Sequence, residues 1–85
     1  MNRYAFVYFM NDNREQIRES VPRHIEYWEG LALPDYSGGP FTDQSGGLIT
    51  FSAANLAEAE RLISQDPFII AAVLSEQLLR QWLVK

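Results

Sequence analysis

The chain has 85 residues, 47% of them hydrophobic and 13% aromatic, which predicts one folded globular domain over residues 1–85 rather than a disordered segment. A domain this short buries a small share of its surface, so help from a partner chain is expected. The chain has no cysteine, which excludes disulfides, thiolate metal sites and cysteine nucleophiles. The net charge of −4, with seven basic residues scattered singly, argues against nucleic acids and anionic membrane surfaces as partners.

The first predicted element is the apolar segment RYAFVYFM, residues 3–10. It is rich in β-branched and aromatic residues and apolar on both alternating faces, so we expect a central strand that is covered on both sides. The apolar run is too short to span a bilayer, and no small-residue cleavage site follows it. We therefore expect a cytoplasmic protein without a membrane partner.

The first helix is predicted from Arg14 to Glu29. Apolar residues recur there at steps of three and four residues, a spacing that predicts one buried face: Ile17, Val21, Ile25 and Trp28. Gly30 follows as a stop signal. Pro22 cannot donate a hydrogen bond to the carbonyl four residues back, so we expect either a kink there or a helix restart capped by Ser20.

The middle of the chain predicts two strands separated by a turn. The segment LALPDYSGGPF, residues 31–41, is expected to be a short strand passing into a turn, and Pro34 marks it as an edge strand because proline lacks a ladder N–H. TDQSGG turns the chain, and LITFSA, residues 48–53, is the third strand. The run SGGP is either a tight turn or a place where backbone N–H groups approach a ligand.

Two helix starts and a final strand are predicted in the C-terminal third. Asn55 and Glu58 resemble a capping box for the helix LAEAERLIS, residues 56–64, whose expected buried face consists of Leu56, Ala59, Leu62 and Ile63. Asp66 before Pro67 predicts a second, short helix, because the carboxylate accepts from first-turn N–H groups and proline at the first position has none to satisfy. EQLLRQWLV, residues 76–84, is the last strand.

The order β-α-β-β-α-β with an extra helical turn predicts an α+β, ferredoxin-like fold, in which both helices cover one face of a four-stranded antiparallel sheet. The other face would carry one of two sets from the first strand: either Tyr4, Phe6, Tyr8 and Met10, or Ala5, Val7 and Phe9. Either set is too apolar to be exposed on a monomer. We therefore expect a homodimer in which two sheets pack face to face around a barrel-like interior.

His24 is the only histidine, and its place on the first helix, one turn after Ser20 and one turn before Trp28, predicts that it points inward. A buried imidazole needs a partner for its N–H group. Asp66 is the natural candidate, because the loop after the second helix could bring it near the first. Two plainer interpretations stay open: His24 donates to a backbone carbonyl at the edge of the core, and Asp66 only caps its helix.

The segments PRHIEYW, GGPF, QDPFIIAA and RQW resemble, in their order and spacing, the YCII-related (YciI-like) family over nearly the whole chain. The matching positions are His24, Gly39 with Pro40, Asp66 with Pro67 and Phe68, and Trp82. The resemblance implies a dimeric α+β barrel, similar to muconolactone isomerases and cofactor-free monooxygenases, with a His-Asp pair as the active site. One member of that family works as a dehydrochlorinase on a chlorinated hydroxyquinol.

The chain also departs from that family in two places. The family often has a basic or polar residue where this chain has Ile70, and commonly a glycine where it has Ala72. If the family's pocket needs that charge, the ligand of this protein differs. The turn FTDQSGG is also shorter than usual, which affects the expected rim of the pocket.

If Asp66 accepts from one imidazole nitrogen, the other nitrogen of His24 is free to take or give a proton near neutral pH. This predicts general acid–base chemistry on a small aromatic or enolisable molecule, in a cofactor-free enzyme of the lyase or isomerase type. A metal site is not expected, because the chain has no cysteine and no second histidine. The alternatives are a metabolite-binding or dimerisation module without turnover, and a purely structural role for the pair.

The residues expected to bind the ligand lie around this pair. They are Tyr27, Ser37, Gly39, Pro40 and Phe68. Further aromatic side chains are candidates for the pocket wall, although aromatic residues at helix and strand spacing more often belong to a core: Tyr8, Trp28 and Tyr36. A serine before Gly-Gly is usually part of turn chemistry, which is the plainer interpretation of Ser37.

Overall fold

The computed structural model describes residues 1–85 and contains four strands and three helices: β1 (Asn2–Met10), α1 (Arg14–Gly30), β2 (Ser37–Pro40), β3 (Gly46–Ala53), α2 (Leu56–Ser64), α3 (Pro67–Ile70) and β4 (Leu74–Gln81). The strands form one antiparallel sheet in the order β2-β3-β1-β4. The predicted α+β, ferredoxin-like fold is confirmed, with β1 in a central position. None of the helices combines the length and the apolar character needed to cross a membrane.

The alternation of β1 decides which of its two apolar sets faces the helices. Tyr4, Phe6 and Tyr8 are buried in one core together with Trp28 of α1 and the inward side chains of α2. The other set, Ala5, Val7 and Phe9, therefore lies on the face away from the helices. The register continues this division across the sheet, since Phe6 is paired with Ile49, which is buried, and Val7 with Leu48, which is exposed.

Helix α1 begins at its predicted residue, where Asn13 caps it by accepting from the Gln16 N–H. The helix continues through Pro22 to Gly30 without a restart. The alternative of a new start capped by Ser20 is therefore wrong. The Ser20 hydroxyl instead donates to the Gln16 carbonyl 2.8 Å away, which lies four residues back in the same helix.

The buried face of α1 differs from the predicted apolar stripe. Its buried residues are Ser20, His24 and Trp28, at intervals of four. Val21 and Ile25 are 36% and 47% exposed. The helix was located correctly, but the prediction that Val21 and Ile25 are buried was wrong. Apolar residues at this spacing can line either a core or an open cleft, so the spacing alone does not distinguish the two.

Strand β2 is the edge strand, as predicted, but it is formed by Ser37–Pro40 rather than by the residues around Pro34. Gly39 is paired with Leu48 in an antiparallel ladder. The residues of SGGP form this strand, so the alternative of a tight turn there is wrong. Pro34 lies in the preceding loop, where its carbonyl accepts from the Ser52 N–H at 3.2 Å.

The C-terminal elements follow local signals closely. Asn55 accepts from the Glu58 N–H at 2.8 Å and begins α2 where predicted, although Leu56 is 50% exposed and not part of the buried face. Helix α3 begins after Asp66 as expected. Strand β4 ends at Gln81, earlier than predicted, since its last paired residue lies opposite Tyr4 near the start of β1.

Ala72, in the turn between α3 and β4, has a φ of 56°, in the left-handed region. This conformation costs a residue with a Cβ roughly 1–2 kcal/mol and is easily adopted by glycine. This backbone conformation explains why the resembling family commonly has a glycine at this position. Here the turn is held by its neighbours, since the Asn11 side-chain amide donates to the Ala72 carbonyl at 3.1 Å.

Candidate active site

His24 and Asp66 form a buried pair that joins α1 to the start of α3. The imidazole Nδ1 lies 2.8 Å from Asp66 Oδ1, and the two side chains are 9% and 0% exposed. The residues are 42 positions apart in sequence. They meet because α1 packs directly against α3, which begins at Pro67 immediately after Asp66. The expected contact between the histidine and the acid is present.

The Asp66 carboxylate serves two further donors. Its Oδ1 also accepts from the Phe68 N–H at 2.8 Å, which is the helix cap, and its Oδ2 accepts from the Trp28 indole N–H at 2.9 Å. Capping and pairing with His24 are therefore roles of the same carboxylate, not alternatives. An ionised carboxylate only accepts, so the geometry assigns the imidazole proton on this side to Nδ1 and leaves Nε2 as the second nitrogen.

Two aromatic rings hold the imidazole in place. The Phe68 ring stacks on it, with centroids 3.9 Å apart and planes 11° from parallel. The Tyr8 ring meets it edge to face at 5.6 Å. With Asp66 at Nδ1 and rings on two sides, the orientation of His24 is set by packing as well as by a hydrogen bond.

An open cleft of about 470 Å³ lies beside the imidazole. It is bounded by α1, by the end of β1 and by β2 with the following turn. Of the residues expected at the site, His24, Gly39, Pro40 and Phe68 line this cleft. Asp66 does not line the cleft and lies behind His24. Its carboxylate can therefore contact a bound molecule only indirectly, through its hydrogen bond with the imidazole.

Two expected ligand-binding residues lie elsewhere. Tyr27 does not line the cleft, and its hydroxyl donates to the Leu62 carbonyl, so it ties α1 to α2. Ser37 is also outside the lining and is paired with Thr50 at the start of β2. Neither side chain is brought to the imidazole by this fold.

Several cleft residues were not singled out from the sequence as ligand-binding. Val21 and Ile25 form the wall on α1, Glu29 extends it, and Met10 lies at the end of β1. The signal that could have found Glu29 is the spacing itself, because the residue lies four positions after Ile25 on the same side of the helix. Tyr8 and Tyr36, weighed as wall or core, are both at the cleft.

The electrostatics of the cleft are set by phenols and carboxylates. Burial, together with the negative charge of Asp66, raises the pKa of Tyr8 to about 12. Burial and the nearby carboxylate of Glu29 also raise the pKa of Tyr36. None of the seven basic residues lines the cleft. The chain also has no group of three His, Cys, Asp or Glu side chains arranged to hold a metal ion.

The structure is similar to several solved proteins. A 5-chloro-2-hydroxyhydroquinone dehydrochlorinase from Burkholderia phenoliruptrix AC1100, in complex with 2,5-dihydroxybenzoquinone, has a TM-score of 0.81 at 21% identity, over 94% of this chain and 92% of that chain. An antibiotic biosynthesis monooxygenase has a TM-score of 0.70 at 14% identity, over 100% and 99%. A dimeric ferredoxin-like protein of unknown function from Thermobifida fusca YX has a TM-score of 0.59 at 15% identity, over 96% and 89%.

At these identities the structural likeness shows a shared fold. No curated protein sequence matches this chain significantly. The family is shown by the sequence itself, because the model of the YCII-related domain matches residues 1–83, which is nearly the full length. The resemblance seen in the four short segments is confirmed, and the chain belongs to the YCII-related domain family.

Proposed function

We propose that this protein is a small-molecule enzyme in which His24 carries a proton and Asp66 orients the imidazole. The observation that carries this proposal is the buried contact of 2.8 Å between Nδ1 and Oδ1, with the same imidazole forming part of the wall of an open cleft. A pair that is buried on one side and accessible on the other is the arrangement that general acid–base catalysis requires.

The proposed step is a proton transfer at His24 Nε2. A substrate C–H or O–H bond gives its proton to Nε2, and its electron pair stays on the substrate. Asp66 stabilises the imidazolium that forms, because its carboxylate faces Nδ1. The electron pair then expels a leaving group or takes the proton back at another atom, which corresponds to lyase or isomerase chemistry. The dehydrochlorination named for one structural neighbour is a reaction of the first type.

A second candidate function is a metabolite-binding module without turnover. The observation that favours it is the engagement of Asp66 with Trp28 and Phe68, which would keep this carboxylate in place even if His24 transferred no proton. The cleft would then bind its ligand through the same walls. The two functions differ in one measurable respect, namely whether a proton of the bound molecule exchanges or is lost.

We also infer a homodimer formed through the sheet face that the helices leave open. Val7 at the centre of this face is paired with Leu48 on one side and Leu78 on the other, which makes a continuous apolar row across three strands. Leu48, Leu78 and Trp82 are exposed in the single chain. A second sheet of the same kind would cover this row, and a dimeric protein with the same fold supports the arrangement.

The enzymatic proposal is tested with 5-chloro-2-hydroxyhydroquinone as the first substrate and a panel of enolisable aromatic ketones as the next. Chloride release and deuterium exchange are followed for the unmodified protein and for His24→Gln. We expect the substitution to lower the rate of the folded variant by about 10²–10⁴-fold, the usual contribution of a general acid or base. Arg23→Gln, an exposed change on the same helix and away from the cleft, is the control.

Full turnover by His24→Gln would contradict the proposal. Binding of the panel without any exchange or chloride release in the unmodified protein would favour the module without turnover. A loss of folding in His24→Gln is recognised by circular dichroism, and His24→Asn then serves as the second variant.

A further inference from the structure

Tyr8 carries a hydroxyl group that the fold does not use. Tyr8 is 3% exposed and lines the cleft, and none of the side-chain hydrogen bonds within the chain involves its hydroxyl. Tyr27 shows the usual outcome for such a group, since its hydroxyl donates to the Leu62 carbonyl. Arg3 Nε is the only buried side-chain polar atom without a partner, so the unbonded Tyr8 hydroxyl is accessible from the cleft and available to a molecule there.

The backbone next to the Tyr8 hydroxyl leaves room for it because it carries no side chain there. Gly47 lies opposite Tyr8 in the β1–β3 pair, and a Cβ at Gly47 would overlap the Tyr8 hydroxyl. Gly38 plays the same part for the second phenol, because a Cβ there would come within 2.9 Å of the Tyr36 hydroxyl. Two hydroxyl groups therefore lie at the floor of the cleft, each directly above a glycine.

The charges around the cleft select against anions. Glu29 contributes a carboxylate to the lining, and the Asp66 carboxylate lies directly behind the imidazole. No lysine or arginine lines the cleft to balance them. An anionic ligand would lose its hydration and meet these two carboxylates without a lysine or arginine to balance its charge, which is unfavourable. The apolar wall of Ile17, Val21 and Ile25 fits an uncharged hydrocarbon skeleton.

We propose that the substrate of this site is an uncharged aromatic or enolisable molecule with a carbonyl oxygen, and that the Tyr8 hydroxyl donates a hydrogen bond to that oxygen. This inference rests on the proposed function, because it concerns the molecule that His24 would deprotonate. The Tyr8 and His24 rings are in contact, with centroids 5.6 Å apart, so an oxygen held by Tyr8 lies close to the imidazole. Withdrawing charge toward a carbonyl oxygen makes a neighbouring C–H bond more acidic, which is what the proton transfer needs.

The protonation state of Tyr8 agrees with a donor role. A phenol whose pKa is about 12 keeps its proton throughout the neutral range. It can therefore donate to a neutral carbonyl oxygen without first losing its proton. A lowered pKa would instead have indicated a phenolate base, for which this cleft provides no cation.

The experiment compares three aromatic probes of similar size that differ at one group. Acetophenone is uncharged with a carbonyl oxygen, benzoate is an anion, and toluene has no acceptor. Each is titrated into the full chain at pH 7 and followed by NMR shifts of the glycine amides in β2 and β3. We expect acetophenone to bind about tenfold more tightly than benzoate and about fivefold more tightly than toluene, the latter being the effect of one neutral hydrogen bond.

Tyr8→Phe removes only the hydroxyl oxygen and should bring the affinities for acetophenone and toluene to within about twofold of each other. Tyr4→Phe is the matched control, since Tyr4 is a buried tyrosine of the same strand that does not line the cleft, and it should leave the preference unchanged. Equal binding of benzoate and acetophenone to the unmodified protein would overturn the inference, and this comparison needs no variant. An unchanged preference in a folded Tyr8→Phe would also overturn it.

These outcomes are separate from those that test the enzymatic proposal, because the probes report binding without turnover. His24→Gln should retain the preference for acetophenone while losing any turnover. If the unmodified protein shows the preference but no proton exchange, the enzymatic proposal fails and the ligand class stands. If it turns over substrates but binds benzoate as well as acetophenone, the ligand class fails and the enzymatic proposal stands.

Discussion

The Asp66 carboxylate accepts from donors in two parts of the chain: His24 and Trp28 on α1, and the Phe68 N–H at the start of α3. Three donors compensate for the loss of hydration of a carboxylate that is completely buried. This explains how a charged residue can lie in the core of so short a chain. It also means that the site and the packing of α1 against α3 depend on one side chain.

We predict that Asp66→Asn destabilises the protein by about 1–3 kcal/mol, the cost of a buried donor without an acceptor. Asparagine keeps the shape but has one acceptor oxygen, and its NH₂ group would face either the Trp28 indole or the N–H groups of His24 and Phe68. Urea unfolding measures the change. Glu60→Gln, an exposed neutralisation on α2, should change the free energy of unfolding by less than about 0.5 kcal/mol. Equal stabilities of the two variants would show that the Asp66 contacts contribute little.

At the scale of the elements, α1 divides its side chains between a core and a cleft. Trp28 and His24 pack inward, whereas Val21 and Ile25 line the cleft on the helix side of the sheet. The helix covers the sheet only in part, because β2 is short and carries glycines rather than large side chains. The cleft is therefore the space between the glycines of β2 and the apolar side chains of Val21 and Ile25 on α1.

We predict that adding a single methyl group at Gly47 of β3 and at Gly39 of β2 changes the stability of the protein by very different amounts. In Gly47→Ala the new Cβ would overlap the Tyr8 hydroxyl and come within 2.7 Å of the Gly39 carbonyl oxygen, so we expect a loss of about 1–3 kcal/mol from overpacking. Gly39→Ala has nothing within 4 Å of the new Cβ and should stay within about 0.5 kcal/mol. Thermal melts of both variants make the comparison. A tolerated Gly47→Ala would mean that the two strands can separate at little cost.

At the scale of the whole molecule, the sheet has one covered and one open face. The helices and the core lie on the Tyr4, Phe6 and Tyr8 side, and the cleft opens on that side as well. The opposite side presents the row Leu48, Val7 and Leu78. The proposed dimer would cover this row while leaving the cleft free, so assembly and ligand binding use different faces.

We predict that light scattering finds twice the mass of one chain for the unmodified protein and a single chain for Leu78→Glu. A charge in the middle of the apolar row would be buried without a partner if the second sheet packed there. Leu56→Glu is the matched control, since both leucines are 50% exposed in the single chain but Leu56 lies on α2. A monomeric unmodified protein at micromolar concentration would contradict the dimer, and a dimeric Leu78→Glu would place the interface elsewhere.

Helix caps and helix bounds depend on residues that are close in sequence, and the predictions of these features are accurate. The cap at Asn55, the start of α3 after Asp66 and the bounds of α2 depend on neighbours within four residues, so they were found from the sequence. The element order and the apolar β1 were sufficient for the fold class. His24, Gly39, Pro40 and Phe68, which match the resembling family, all line the cleft, whereas Tyr27 and Ser37, which were chosen from the residues without that resemblance, do not.

The remaining features depend on contacts between distant parts of the chain. The place of β2 is set by pairing with β3, because an edge strand without large side chains has little local signal. The division of α1 between core and cleft depends on what packs beneath each residue. The contact between His24 and Asp66 joins residues 42 positions apart and exists only because α1 lies against α3. Local hydrogen bonding determines where each element begins, whereas long-range packing determines which side chains meet, and the candidate site consists of side chains of the second kind.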